Sequence, residues 1–226
     1  MEKNMRELFY KDVYEDLINQ FSELSYIEKN ALLVYKTRLG LLMNDLDNNP
    51  DFLYYYNRYK MIYDNPLNAT VKYTVFRFIN MESLESFITS IHELKDILDG
   101  VTSKLITSDD MIVYRAVSSD KTINNISKGN IISSTLSFVE VDKYAKGGDS
   151  IAIYEIRIPA GSPVAISPYR VLDDSFNNRL LVKATNDEEE IILNSDNYEF
   201  ENVETYPGKI TFNVYQARKK DEKTRS

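Results

Sequence analysis

Three short stretches carry side chains whose types and spacing suit chemistry. The first is "NDEEEIIL", Asn186 to Leu193, where three carboxylates run straight into three apolar residues. Side chains alternate faces along a strand, so Glu188 and Glu190 are expected on one face and Glu189 on the other. Two like charges on one face repel unless something nearby neutralises them, and a solvated loop end is the plainer alternative. The second is "MIVYRAV", which sets Arg115 in an otherwise apolar strand. A guanidinium there is costly unless it meets an anion, and its planar fork grips phosphate or carboxylate at two points. The third is "IISSTLSF", which groups Ser133, Ser134 and Thr135, hydroxyls able to hold a carboxylate in one rotamer. An arginine, a serine and a pair of glutamates on separate strands can converge in one cleft.

Composition narrows what else the chain can do. It has no cysteine and one histidine, His92, which removes thiol nucleophiles, thiolate metal sites and multi-histidine metal sites. Net charge is −8, so nucleic acid is disfavoured as a partner and a basic protein surface fits better. The first residues lack the apolar core of a signal peptide and no apolar run is long enough to span a membrane, so a cytoplasmic protein is expected. The basic tail "ARKKDEKTRS" reads as a frayed end. His92 reads as a helix-surface or satisfied core residue, and the tyrosines from Tyr54 to Tyr63 read as packing rather than base stacking.

The elements needed to position the three stretches change character near residue 105. Before it, Leu8, Phe9, Val13, Tyr14, Leu17, Ile18, Phe21 and Leu24 recur at three- and four-residue spacing, the mark of an amphipathic helix. Ser25 and Glu28 form a capping-box pattern that opens a second helix, predicted to run to about Leu46. "DNNP" breaks it, a tyrosine-rich segment follows, "ATVKYTVFRFI" is ambiguous between strand and helix, and "SLESFITSIHELKDILDG" is a helix closed by Gly100. After residue 105 come short β runs: "MIVYRAV", "IISSTLS", "SIAIYEIRIP", "VAIS", "EEIIL", "NYEFENVE" and "KITFNVYQA". The expectation is an α+β fold, a helical part over 1–105 and a β-rich part over 106–226, with the helices packed on a mixed or antiparallel sheet.

In order along the chain, the three motifs resemble those of the mono-ADP-ribosyltransferases of the arginine-serine-glutamate type, especially bacterial exoenzymes and toxins and their bacteriophage relatives. "VYR" is similar to that family's aromatic-arginine pair, with Tyr114 and Arg115. "SSTLS" is similar to its Ser-Thr-Ser motif with the middle residues exchanged, which leaves open whether Ser133, Ser134 or Thr135 holds the catalytic glutamate. "EEEIIL" is similar to its Glu-any-Glu motif, with Glu188, Glu189 and Glu190. "SIAIYEIRIPAGSPVAIS" resembles the family's strand, Pro-any-Gly turn and strand, and "VYKTRLGLLMNDL" loosely resembles its upstream helical segment.

The resemblance implies a single β-sandwich core of the ADP-ribosyltransferase type with its NAD-binding part in 106–226. It implies transfer of ADP-ribose from NAD+, consumed as a substrate, to an arginine of a target protein, with release of nicotinamide and no metal. Glu190 would stabilise the sugar cation, Ser133 would orient Glu190, Arg115 would hold the phosphates, and Glu188 would accept the proton of the incoming guanidinium. Tyr114, Tyr144 and Lys146 would help bind NAD+, the last two by stacking on nicotinamide and meeting a phosphate. The stretch Tyr169 to Asp187 is longer than in the compact toxins, and Tyr169 or Phe176 in it would touch the acceptor protein. The alternatives are an NAD+ glycohydrolase, a silent binding or inhibitory module on the same fold, and a transferase acting on nucleic acid or a small molecule.

Overall fold

The computed structural model describes residues 2–48, 50–118, 131–138, 141, 151–174, 179–184 and 189–220. Contacts divide the chain into two units, each built from separate stretches. One holds residues 1–23, 102–166 and 187–226; the other holds 24–101 and 167–186.

The first unit is a helix and a large sheet. Helix α1, Glu2–Ser22, buries Val13, Tyr14, Leu17 and Phe21, while the side chains of Leu8 and Phe9 lie outside the described set. The strands are β1 (Leu105–Ile106), β2 (Met111–Ser118), β3 (Ile131–Thr135), β4 (Ile151–Ile158) and β5 (Pro163–Ile166). In the second unit lie β6 (Tyr169–Asp174) and β7 (Arg179–Ala184), and the sheet resumes with β8 (Glu190–Asn194), β9 (Tyr198–Tyr206) and β10 (Thr211–Lys219). The sheet has eight strands in the order β1-β5-β8-β3-β2-β4-β10-β9. Its pairs are antiparallel except β4 with β10, which run parallel. The edge strand β1 is capped by α1, because the Gln20 amide accepts from Ile106 N at 2.8 Å and donates to Ile106 O at 2.9 Å. Pairing a strand's free backbone groups in this way blocks edge-to-edge association.

Strands β5 and β8, neighbours in the sheet, are buried at every position, and their sequences read as near-continuous apolar runs. In β8 every residue is buried, and Ile191, Ile192 and Leu193 have no measurable exposure. Each such side chain contributes about 1.5–3 kcal/mol by leaving water. The strand is therefore a stiff support for whatever stands at its first position, Glu190.

The second unit is helical, with one hairpin. Helix α2, Tyr26–Tyr35, opens with the Ser25–Glu28 capping box, each residue bonding the other's backbone N–H. It ends at Tyr35 rather than near Leu46, and a separate short helix α3 covers Leu39–Asn44. The cause is local. Thr37 Oγ1 donates to Val34 O at 2.6 Å and accepts from Leu39 N at 3.0 Å, which turns the chain. Gly40 then lies so close to Tyr35 that a Cβ would sit 2.0 Å from its carbonyl oxygen. The tyrosine-rich stretch forms α4, Phe52–Asp64, with Tyr59 fully buried against Phe76. The ambiguous stretch yields one helical turn, α5, Ala69–Lys72, followed by tight turns. The buried Asn30 side chain of α2 donates to the Thr74 carbonyl and secures those turns. Helix α6, Leu84–Val101, carries an exposed His92 beside the Phe52 ring. Strands β6 and β7 pair antiparallel into a two-stranded ribbon, an element with no counterpart in the sequence-based strand assignment.

Among the described residues no helix is long and apolar enough to cross a membrane.

Candidate active site

Arg115, Ser133 and Glu190 come together at adjacent strands of the sheet unit. Thr135 stands opposite Tyr114 of β2 on one side and opposite Glu190 of β8 on the other, so one rung crosses all three strands. Two residues back along β3, the Ser133 hydroxyl donates to Glu190 Oε1. The Arg115 guanidinium donates through Nη1 to the Ser133 carbonyl oxygen at 2.5 Å. The serine is thus gripped at its backbone by the arginine while its hydroxyl holds the carboxylate.

Glu190 is 6% exposed. Burying a carboxylate costs several kcal/mol unless hydrogen bonds replace its water, which is why a hydroxyl at this place matters. The neighbouring hydroxyls do other work. Ser134 is buried and donates to the Ile191 carbonyl at 2.8 Å, tying β3 to β8. Thr135 Oγ1 accepts from Ser137 N at 3.0 Å and shapes the exit from β3. Among Ser133, Ser134 and Thr135, it is Ser133 whose hydroxyl donates to Glu190 Oε1.

The glutamate strand begins later than its sequence suggests. β8 opens at Glu190, and Glu189 sits before it with φ of 42°, in the left-handed region. The strand alternation expected at Glu189 therefore does not apply, because Glu189 precedes β8 with left-handed backbone. Left-handed backbone costs a non-glycine residue about 1–2 kcal/mol. Leu136 N donates to the Glu189 carbonyl at 3.2 Å, which joins the end of the serine stretch to the start of the glutamate strand. Burial pushes the Glu189 carboxyl above the usual range. Sequence reasoning passed over this backbone contact, and the residue types involved carry no signal for it.

Tyr114 is half-buried and packs its ring edge-on against Phe138, 5.3 Å between centroids. It also joins a small apolar cluster centred on Val141 and Ile153, with Ala116 and Phe212. Tyr169 opens β6 in the other unit, partly buried near Tyr26, and burial raises its hydroxyl pKa. Glu188, Tyr144, Lys146 and Phe176 lie outside the described residues. Among the described residues no cluster of three or more histidine, cysteine or carboxylate side chains could hold a metal ion.

Comparison with solved structures gives this arrangement a setting. Plx2a, an ADP-ribosyltransferase toxin from Paenibacillus larvae, aligns over 94% of this chain and 96% of its own, at 12% identity and a TM-score of 0.51. The fold is that of the ADP-ribosyltransferase toxins. The C3 exoenzyme of Clostridium limosum aligns over 93% of this chain and 94% of its own, at 15% identity and a TM-score of 0.49. An ADP-ribosyltransferase from Clostridium botulinum aligns over 92% of this chain and 94% of its own, at 13% identity and a TM-score of 0.49. No family model matches the chain, and no curated protein matches it. The toxin fold combines helices with a large, mostly antiparallel sheet, as found here.

Proposed function

We propose that this chain is a mono-ADP-ribosyltransferase that moves ADP-ribose from NAD+ to an arginine side chain of a target protein. The observation that supports this reading most is the linked set in which Arg115 grips the Ser133 carbonyl and Ser133 grips Glu190. The toxin-like fold supports the reaction class.

In the proposed reaction the bond between the nicotinamide nitrogen and the ribose C1′ breaks, and nicotinamide leaves with the electron pair. The sugar becomes cation-like, as in glycoside cleavage, and a carboxylate fixed beside it lowers the barrier. Glu190 is fit for that task, because its rotamer is set before substrate arrives and its strand is rigid. A guanidinium nitrogen of the acceptor then bonds to C1′ and gives up a proton. Glu188 is assigned as the group that accepts it, as the resemblance implies. Arg115 is assigned to the NAD+ phosphates. The sheet-rich part, 106–226, is assigned to NAD+.

The test is to incubate the protein with NAD+, with and without agmatine as a soluble guanidinium, and to follow nicotinamide and ADP-ribosyl-agmatine together. Release of nicotinamide with transfer to agmatine is the expected result. Release without transfer to agmatine or to any protein arginine would make the chain a glycohydrolase. No release at all would make it a binding module on the same fold.

A further inference from the structure

Glu190 stands on a face of the sheet that continues far beyond the candidate site. Paired residues share a face, so the register traces one rung from β8 to the sheet's edge. The rung passes through Glu190, Thr135, Tyr114, Glu155, Val214 and Glu204. Neighbouring strands lie about 4.8 Å apart, so the steps from β8 to β9 carry Glu204 about 24 Å from Glu190 across the sheet. On the opposite face of the same strands Val113, Ile156 and Tyr215 are buried.

Two features mark the outer part of this face. The first is a row of four aromatic rings. Tyr114 meets Phe138 at 5.3 Å, Phe138 meets Phe212 at 6.4 Å, and Phe212 meets Tyr206 at 6.2 Å between centroids. Phe138 is 45% exposed and Tyr206 50%, so the row starts beside the site and ends in water. A run of half-exposed rings is unlike single surface aromatics and marks a binding surface. The second feature is the placing of charge. β9 shifts register against β10 so that Glu204 faces Val214 and Asn202 faces the next residue, Tyr215. The bulge absorbs Val203. Glu204 and Glu201, three apart, would otherwise stand on opposite faces. Instead Glu201 pairs with Gln216 and Glu199 with Arg218, which returns both glutamates to the face of Glu204 and Tyr206. Among the described residues of β2, β4, β9 and β10, this face carries four carboxylates, Glu155, Glu199, Glu201 and Glu204, against two guanidiniums, Arg157 and Arg218. Arg157 bonds Glu155 and Arg218 bonds Glu201, which leaves negative charge in excess beside the Tyr206 ring.

We propose that this face docks a basic flank of the acceptor protein, with lysine or arginine side chains on the outer rings of the row while the acceptor arginine reaches Glu190. This rests on the arginine-transfer reading given above. Ammonium and guanidinium groups are drawn to the faces of aromatic rings, so the rings hold the flank. The surplus carboxylates select its sign and make docking salt-sensitive. An extended chain advances about 3.3 Å per residue, so the basic residues fall about seven positions from the acceptor arginine. NAD+ itself is a poorer occupant, because its phosphates would meet surplus negative charge. Nucleic acid and a second copy of the chain are opposed in the same way by a net charge of −8.

The experiment compares peptides with one central arginine in a serine–glycine background. One has lysines about seven positions from the arginine on both sides, one has glutamates there, and one has the lysines moved next to the arginine. With NAD+ present, KM for transfer to the first should be at least ~tenfold below that for the other two. Tyr206→Ser combined with Glu201→Gln and Glu204→Gln should raise that KM at least ~tenfold. The same triple variant should keep the KM for agmatine, which is too short to reach β9, within about twofold of the parent. Glu93→Gln, an exposed carboxylate on α6, should behave as the parent does. Equal KM for the three peptides, an unchanged KM in the triple variant, or a rise shared by agmatine or NAD+ would overturn the proposal. A second measurement separates the surface from the chemistry. The first peptide, labelled and with glutamine for its arginine, is followed by anisotropy without NAD+, and the parent should bind it in a salt-sensitive way that the triple variant loses. Such binding with no nicotinamide release would sink the transferase reading and leave the surface standing. Transfer to agmatine, with equal peptide binding by parent and triple variant, would do the reverse.

Discussion

Strands β8 and β9 both bring glutamates into the same sheet, and their surroundings differ throughout. β8 is five residues long, lies between β5 and β3, and is buried at every position. β9 is nine residues long, forms the sheet's edge, and exposes Glu199, Glu201 and Glu204. Glu190 is held by a serine hydroxyl, whereas Glu201 meets Arg218 with both partners more than half exposed. The contrast teaches that a glutamate's role follows from what its strand is packed between. A carboxylate with a fixed rotamer in a place that excludes water can favour a developing positive charge. One that sits in water is screened and contributes mainly to solubility.

Neutralising each strand in turn is the strongest test of that contrast. Glu190→Gln keeps shape and removes charge, and nicotinamide release should fall by at least ~100-fold with folding retained. Glu201→Gln and Glu204→Gln should keep release within about twofold, because screened charges act weakly at a distance. Comparable losses from β8 and β9 variants would erase the distinction.

Ser133→Ala asks whether Glu190 must be held as well as charged. A hydrogen bond to a charged group contributes about 1.5–3 kcal/mol, so release should fall on the order of tenfold or more. The loss should appear in kcat rather than KM, since the serine acts through the glutamate. An unchanged kcat would show that burial alone positions Glu190.

A smaller effect is expected at Glu189, whose carboxyl is raised by burial. An acid with a raised folded pKa binds more protons folded than unfolded between the two pKa values. Stability from this group is therefore present below the ordinary carboxylate range and is lost as pH rises through the folded pKa. Glu189→Gln should flatten that decline and leave the protein somewhat more stable at neutral pH, read from Tm across a pH series. A variant that is less stable than the parent at neutral pH would show the carboxylate to be structurally required.

The smallest effect belongs to β9. Arg218→Ala removes the exposed partner of Glu201 and should change stability by no more than about 1 kcal/mol, as urea unfolding would report. A larger loss would mean that the edge strand depends on its charges.

The strands that carry these residues were legible because period-two patterning and turn residues are local signals. Each of the seven β runs read from sequence became a strand. What escaped was set by contacts distant in sequence or by backbone geometry. The break after Tyr35 depends on Thr37 and Gly40 meeting the helix end, which leaves a strong helical pattern intact in the sequence. The β6–β7 ribbon carries charges and leucines in a mixture that matches neither period. The start of β8 at Glu190 depends on a left-handed Glu189, which no residue type in "NDEEEIIL" announces. Arg115, Ser133 and Glu190 could be singled out as candidates from residue type and motif order, whereas the different hydrogen bonds of Ser133, Ser134 and Thr135 required the register of β3 against β8.

That register also governs how the protein is made. Ser133 and Glu190 are 57 residues apart in the chain, and β10, near the end of the sequence, lies parallel against β4. A ribosome emits residues in order, at about 5–20 per second. The arginine and serine strands are therefore outside long before their glutamate exists, and β4 lacks its β10 neighbour until β5 through β9 have all been made. Pairings of such range are slow to form and leave open strand edges meanwhile. The nascent chain passes through a stage in which the serine has no glutamate to hold, and the sheet is completed only when its last strand is delivered.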